Sequence, residues 1–233
     1  MGSVNEILDK LKAVSRPGDL EGMAKFGMAV EGRLGVSVPE MRRIAKETGK
    51  DHHLALELWG TGIAEARMVA SMIADPNLLT EQEMEAWVQD FNSWDVCDQV
   101  CMNLFEKSPH ARQKIYAWSE REEEFVRRAA FALVACLAWH DKQAPDGDFI
   151  EFLPLIKHAA SDERNYVKKA VNWALRNIGK RNLNLNRAAI AAAKEISEDG
   201  SKAGRWIATD AIRELDGAAV QKRLREGKNH GTG

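Results

Sequence analysis

The chain has 233 residues, 45% hydrophobic and 29% charged, with a formal net charge of -2 and a pI near 6.3. That length and apolar content suffice for a substantial core, in one long domain or two short ones. The charge balance excludes a uniformly basic nucleic-acid binder, whose domains usually have a pI above about 9, and no apolar run reaches the roughly 18 residues of a membrane-spanning helix.

The first residues, MGSVNEILDKLKAV, carry acids and lysines where a secretory signal needs an apolar centre, so a cytoplasmic location is expected. From there almost every segment reads as helix. Expected starts are Ser37 with Pro39 behind it, Thr80 with Glu83 as a capping box, Ser93 before Trp94, Ser108 with Pro109, and Ser161 before Arg164. Gly18, Gly32, Gly35, Gly60, Gly147, Gly179 and Gly200 mark turns or helix ends. Period-2 alternation is absent, so the expectation is an all-α chain with helices of about 10 to 18 residues. The last dozen residues, KRLREGKNHGTG, read as frayed; a single domain over 1–220 and a disordered tail over 221–233 are expected.

Between Arg67 and Lys107 there is no Lys or Arg, only Asp75, Glu81, Glu83, Glu85, Asp90, Asp95, Asp98 and Glu106. Within this acidic region lies Asn92-Ser93-Trp94-Asp95-Val96-Cys97-Asp98. With Ser93 as cap, Trp94 and Asp98 are four apart and share a helix face. Asp98 is about a quarter turn from the apolar stripe of Cys97, Val100, Cys101 and Leu104, so it can line a groove. The same pattern also fits a first-turn acid complementing the helix dipole, with Trp94 as a packing residue.

The helices repeat. Val126-Arg127-Arg128-Ala129-Ala130 lies 41 positions before Val167-Lys168-Lys169-Ala170-Val171, and the stripe Val126, Ala129, Ala130, Leu133, Val134 and Leu137 maps onto the second unit without a gap. Looser echoes are Arg205-Trp206-Ile207-Ala208, about 38 further on, and Arg67-Met68-Val69-Ala70, about 60 earlier. Two helices per unit of about 40 residues is the spacing of HEAT-like arrays, which stack into a solenoid with a concave working face.

The helix expected from about Arg164 to Arg181 has two unlike faces. Val167, Ala170, Val171, Ala174, Leu175 and Ile178 form an apolar stripe, while Tyr166, Lys169, Trp173, Arg176 and Lys180 fall on the other side. From Arg164 through Arg187 there are seven basic residues and no acid. An indole among cations suits a polyanion with flat, stackable parts. Arg128 occupies the repeat position of Lys169, so two adjacent units present cations to one side, as a phosphate track requires.

Other chemistry is weakly supported. Cys97 and Cys101 lack His or further Cys in a zinc pattern, and with Cys136 they read as core residues in a reducing compartment. No His-Glu-x-x-His helix, phosphate-binding glycine loop or serine nucleophile elbow is present, so neither metal nor cofactor is expected.

The segments NSWDVCD, FVRRAAFALVACLAWHDK, DERNYVKKAVNWALRNIGKRN and SKAGRWIATDAIREL resemble the bacterial AlkD-type DNA alkylation repair glycosylases, built from HEAT-like repeats. The resemblance covers roughly residues 20 to 215 and includes GVSVPEMRRIAKE. It implies an alkylpurine DNA glycosylase that hydrolyses the N-glycosidic bond of N3- or N7-alkylated purines in duplex DNA without flipping the base. It assigns Asp98 as the catalytic carboxylate, Trp94 and Trp173 as active-site tryptophans and Arg128 as the active-site arginine. Lys169, Arg176, Lys180, Tyr166 and Arg127 are the expected DNA-binding residues, the partner is double-stranded DNA with alkylated bases, and the chain is expected to be monomeric. The loop after Trp139, HDKQAPDGD, departs from the family pattern, and the family's N-terminal DNA contacts near Phe26 find no residue-by-residue match. The competing class is a non-catalytic HEAT-repeat scaffold binding DNA or protein through the same groove.

Overall fold

The computed structural model describes residues 2–227. The chain forms two compact units, Met1–Ala111 and Arg112–Gly233. No β-strand occurs among the described residues.

The first unit contains α1 (Val4–Ala13), α2 (Leu20–Lys25), α3 (Val38–Thr48), α4 (His52–Trp59), α5 (Ala64–Ile73), α6 (Glu81–Gln89) and α7 (Trp94–Asn103). Helix α5 is its centre: α3, α4 and α7 all pack on it, and α1 covers α3 and α5. The apolar side of α5 explains why, since Ala66, Met68, Val69, Ala70 and Ile73 are all buried. The expected capping box forms at α6, where the Thr80 side chain accepts from the Glu83 N–H and the Glu83 carboxylate accepts from Thr80 N–H at 2.8 Å. The turn into α3 passes through Gly35, at φ 75°, where an added Cβ would collide with the Arg16 carbonyl. Only glycine tolerates both demands.

The second unit contains α8 (Ala111–Ser119), α9 (Glu124–His140), α10 (Asp146–Ile150), α11 (Leu153–Ala159), α12 (Asn165–Gly179), α13 (Leu183–Glu198), α14 (Lys202–Leu215) and α15 (Ala218–Arg225). Helices α9, α12 and α14 pack successively on one another, and α11 and α13 pack alongside α12. This is the 41- and 38-residue register seen in the sequence, realised as neighbouring helices. The α12 stripe of Val167, Ala170, Val171, Ala174, Leu175 and Ile178 is fully buried, as its periodicity predicts. Helix α9 goes further: every residue from Ala129 to Ala138 is buried, because it is covered on more than one side. Gly179 lets α12 approach its neighbours; a Cβ there would sit 2.5 Å from a Leu215 methyl carbon and 3.0 Å from Ala189 Cβ.

Ser93 and Ser37 occupy the N-cap positions expected of them, although neither side chain bonds the helix N–H groups. Helix α12 starts at Asn165, organised by Asp162 rather than Ser161: its carboxylate accepts from the Arg164 N–H at 3.0 Å. The chain remains helical to Arg225 with Leu224 buried, so the tail expected from 221 is ordered over its first residues, while 228–233 lie outside the described residues.

Candidate functional site residues in the two units

In the first unit, α7 places Cys97, Val100 and Cys101 in the core and leaves Trp94 and Asp98 half-buried on another face. The indole of Trp94 is oriented by the donation of its Nε1–H to the Phe26 carbonyl at 3.1 Å. Phe26 itself is 77% exposed.

The residues flanking Trp94 fix that loop. Ser93 is buried, and its Oγ accepts from Ala29 N–H at 3.1 Å while donating to Asp95 at 2.5 Å. The buried Arg33 donates to the same Asp95 oxygen at 2.7 Å. Ser93 is therefore recruited away from capping by a buried ion pair. Neighbouring acids are also committed. Asp90 takes the Trp59 Nε1–H at 2.8 Å and pairs with Arg67 at 2.9 Å, while that guanidinium lies 4.9 Å from the Trp59 ring centroid. Sequence reasoning missed Arg33 and also Glu65, whose carboxylate is buried and accepts the N–H groups of Leu34, Gly35 and Val36 at 2.8 to 3.3 Å. Nothing local marks either, since their partners lie some 30 to 60 residues away.

In the second unit, Trp173 is half-buried on α12, off the core, and its indole N–H has no acceptor among the described residues. Lys169, one turn earlier, is exposed. The remaining expected cations are less open than the sequence suggests. Arg128 is only 5% exposed and donates through Nη1 to the Tyr166 carbonyl at 2.7 Å, tying α9 to the first turn of α12. The Tyr166 ring stacks on Phe125 with centroids 5.2 Å apart. Arg127 donates to the Ser119 carbonyl at 2.7 Å and pairs with Asp162 at 3.1 Å, so this guanidinium bridges helices instead of facing outward. Burial pushes the Asp162 carboxyl up, but hydrogen bonds from Arg164, aided by Arg127, hold it below the usual range.

Arg176 and Lys180 are likewise partnered. Arg176 lies 2.5 Å from Glu214 and 3.6 Å from Asp210, and Lys180 Nζ lies 3.0 Å from the other Glu214 oxygen. Asn172 donates to Asp210 at 2.7 Å. These acids sit on α14, 38 positions after Asn172 and Arg176. Much of the charge in the acid-free run from Arg164 to Arg187 is therefore paired within the fold. The 38-residue echo at Arg205-Trp206 was the available signal; in the same register Lys168 Nζ lies 5.3 Å from the Trp206 ring centroid.

No cluster of three or more His, Cys, Asp or Glu suited to a metal occurs among the described residues, and the three cysteines are buried and form no disulfide. No described helix is long and apolar enough to cross a membrane.

Helices laid down in a 38- to 41-residue register and packed in succession define a HEAT-like repeat protein. The chain belongs to the DNA alkylation repair enzyme family, whose model matches residues 7–215. A solved structure described as a new family of proteins related to the HEAT-like repeat DNA glycosylases, with affinity for branched DNA structures, aligns with a TM-score of 0.77 at 21% identity, covering 98% of this chain and 97% of that one. A designed armadillo repeat protein in complex with the peptide (KR)4 aligns with a TM-score of 0.39 at 14% identity, over 97% of this chain and 87% of that one. No curated protein matches.

Proposed function

We propose that the protein is a DNA glycosylase that releases N3- or N7-alkylated purines from duplex DNA without flipping the base. The observation that carries this reading is α7: in a member of the DNA alkylation repair family, Trp94 and Asp98 stand half-buried on one face while the helix's other side is core. A purine alkylated at N3 or N7 is already cationic, so its bond to C1′ is weak and the leaving group needs no protonation. What remains is to stabilise a sugar with oxocarbenium character and to place a water, tasks for one carboxylate. Asp98 performs both. Trp94, on the same helix face, contacts the cationic nucleotide through its π face, worth about 0.5 to 2 kcal/mol; in the second unit Trp173 offers a nucleotide a π face of the same kind.

In the second unit, Arg128 contributes a positive charge for a DNA phosphate. Lys169 adds a further phosphate contact; Arg176 and Lys180 contribute only when released from Glu214, and Arg127 and Tyr166 act through the packing of α9 on α12. The test is release of free base from duplex DNA bearing 7-methylguanine or 3-methyladenine, with Asp98→Asn as the control. Release by the wild type and not by the variant supports the assignment; no release from either substrate rejects it.

A second reading, binding of branched DNA without excision, is favoured by the affinity described for the structurally similar protein and by the internal pairing of Arg176 and Lys180. It predicts tighter binding to a four-way junction than to a duplex of equal length, and no free base.

A further inference from the structure

The second unit holds a cavity of about 190 Å³ between the end of α9, the loop after it and the end of α12. Its walls include Trp139, Lys142, Asp146, Asn177, Lys180 and Arg181. None of the lesion-processing roles above uses Trp139 or Lys142.

Cations gather here for two different reasons. Arg181 donates to the carbonyls of Ala138 at 2.9 Å and Ala144 at 3.2 Å and lies 4.0 Å from the Phe149 ring centroid. Arg223 donates to the Lys180 carbonyl at 3.1 Å. Both satisfy carbonyls near helix C-termini, where positive charge is stabilising. That accounts for two guanidiniums, although the Nε of each is buried without an acceptor.

It does not account for Lys142. Its ammonium has no partner among the described residues, and burial followed by the like charges of Arg181 and Arg223 pushes its pKa down. The nearby acids are already engaged: Asp146 by Asn182 and Asn184, Asp141 by Ala144 N–H and Arg112, and Glu214 by Lys180 and Arg176. An uncompensated cation beside two others is a position that a bound anion relieves. The cavity also has a flat wall. Trp139 is 43% exposed, and His140 stacks on one face at 4.7 Å with an interplanar angle of 22°.

The geometry points to a nucleotide-binding site in which a phosphate meets Lys142 in the field of Arg181 and Arg223, and the base lies on the Trp139 face opposite His140. Charge supplies the affinity for phosphate and the indole supplies preference for a base. The site stands independently of base excision, because it takes a single nucleotide unit and uses other residues.

Calorimetric titration of the full chain with dAMP, inorganic phosphate and deoxyadenosine tests it. Expected is tighter binding of dAMP than of either fragment, a loss of about tenfold or more in dAMP affinity for Lys142→Met, and for Trp139→Ala a weakened dAMP with unchanged phosphate affinity. Trp139 is 43% exposed and Lys142 is exposed although its charge is partly desolvated, so thermal melting should show each variant folded. Deoxyadenosine binding as tightly as dAMP, or dAMP binding that ignores Lys142→Met, overturns the site. Phosphate binding equal to that of dAMP, with no effect of Trp139→Ala, overturns the nucleotide assignment.

Discussion

Helix α7 and helix α12 look like opposites in sequence, one embedded in an acidic run and the other in a basic one. In the structure both runs are largely balanced, by different routes. Around α7 the compensating cations come from earlier in the same unit: Arg33 meets Asp95, and Arg67 meets Asp90. Around α12 the compensating acids come from the following repeat, where Asp210 and Glu214 meet Asn172, Arg176 and Lys180. In a stacked array a charged run is balanced by a neighbouring turn of the stack, so sequence charge overstates surface charge. On α12 the exposed Lys169 and the half-buried Trp173 lie outside these pairs.

The largest expected effect is in the first unit, at a buried acid on α5 just before the acidic run. Glu65→Ala removes the buried carboxylate that receives three N–H groups before α3 and leaves them without acceptors. The expected cost is about 3 kcal/mol of unfolding free energy, given the charge-assisted bonds lost and the amides left buried. Chemical denaturation measures it; a loss within error of zero shows that water replaces the carboxylate. Next comes Asp98→Asn. If Asp98 is the catalytic member of the acidic run, excision of 7-methylguanine falls by about 10²-fold or more, roughly 2.7 kcal/mol of transition-state stabilisation. Duplex affinity stays equal or rises because a negative charge near phosphates is removed. Wild-type excision by a folded Asp98→Asn reduces the carboxylate to a helix-dipole residue.

The parts of the molecule that could be read from sequence are those decided within one or two helical turns. The α12 stripe and the Thr80–Glu83 capping box depend on neighbours three or four residues away, and both form as expected. The repeat register predicted which helices would pack together, since Arg128 reaches Tyr166 and Asn177 reaches the Ala135 carbonyl across 38 and 42 residues. The register did not convey what each exposed side chain would meet. Arg127 reads as a surface cation until Asp162 is placed beside it, and Ser93 reads as a cap until Arg33 and Asp95 are placed around it. The off-core position of Trp173 was legible because a large indole outside the stripe has few other places to go.

A smaller effect sharpens the basic side of the comparison. Burial pushes the Glu214 carboxyl up, but the hydrogen bond from Lys180, with Arg176 beside it, holds it below the usual carboxylate range. A carboxyl depressed in the folded state stabilises the fold fully above its unfolded pKa of about 4.3, and that contribution is lost as pH falls through the folded value. Glu214→Gln should therefore flatten the acid limb of the stability profile below about pH 4, at a cost near neutrality of about 1 kcal/mol. A profile unchanged in shape breaks the claim that α14 neutralises α12.

The same substitution has a further consequence for nucleic acid. With Glu214 uncharged, Arg176 and Lys180 lose their principal partner, Asp210 remaining 3.6 Å from Arg176. If duplex DNA lies against this face, the freed cations engage phosphates, and each added contact steepens the dependence of log affinity on log salt by about 0.9. Glu214→Gln should then steepen the slope by one to two such increments, roughly 0.9 to 1.8. In the wild-type background Arg176→Ala should change it little, because that charge is already spent on Glu214 and Asp210. Lys169→Ala, at an exposed lysine with no internal partner among the described residues, should remove about one increment. Salt titrations of duplex binding for the three variants give the order. If Arg176→Ala flattens the slope as much as Lys169→Ala while Glu214→Gln leaves it unchanged, the ion pairs between α12 and α14 open on binding at negligible cost, and the basic run acts as the sequence alone suggests.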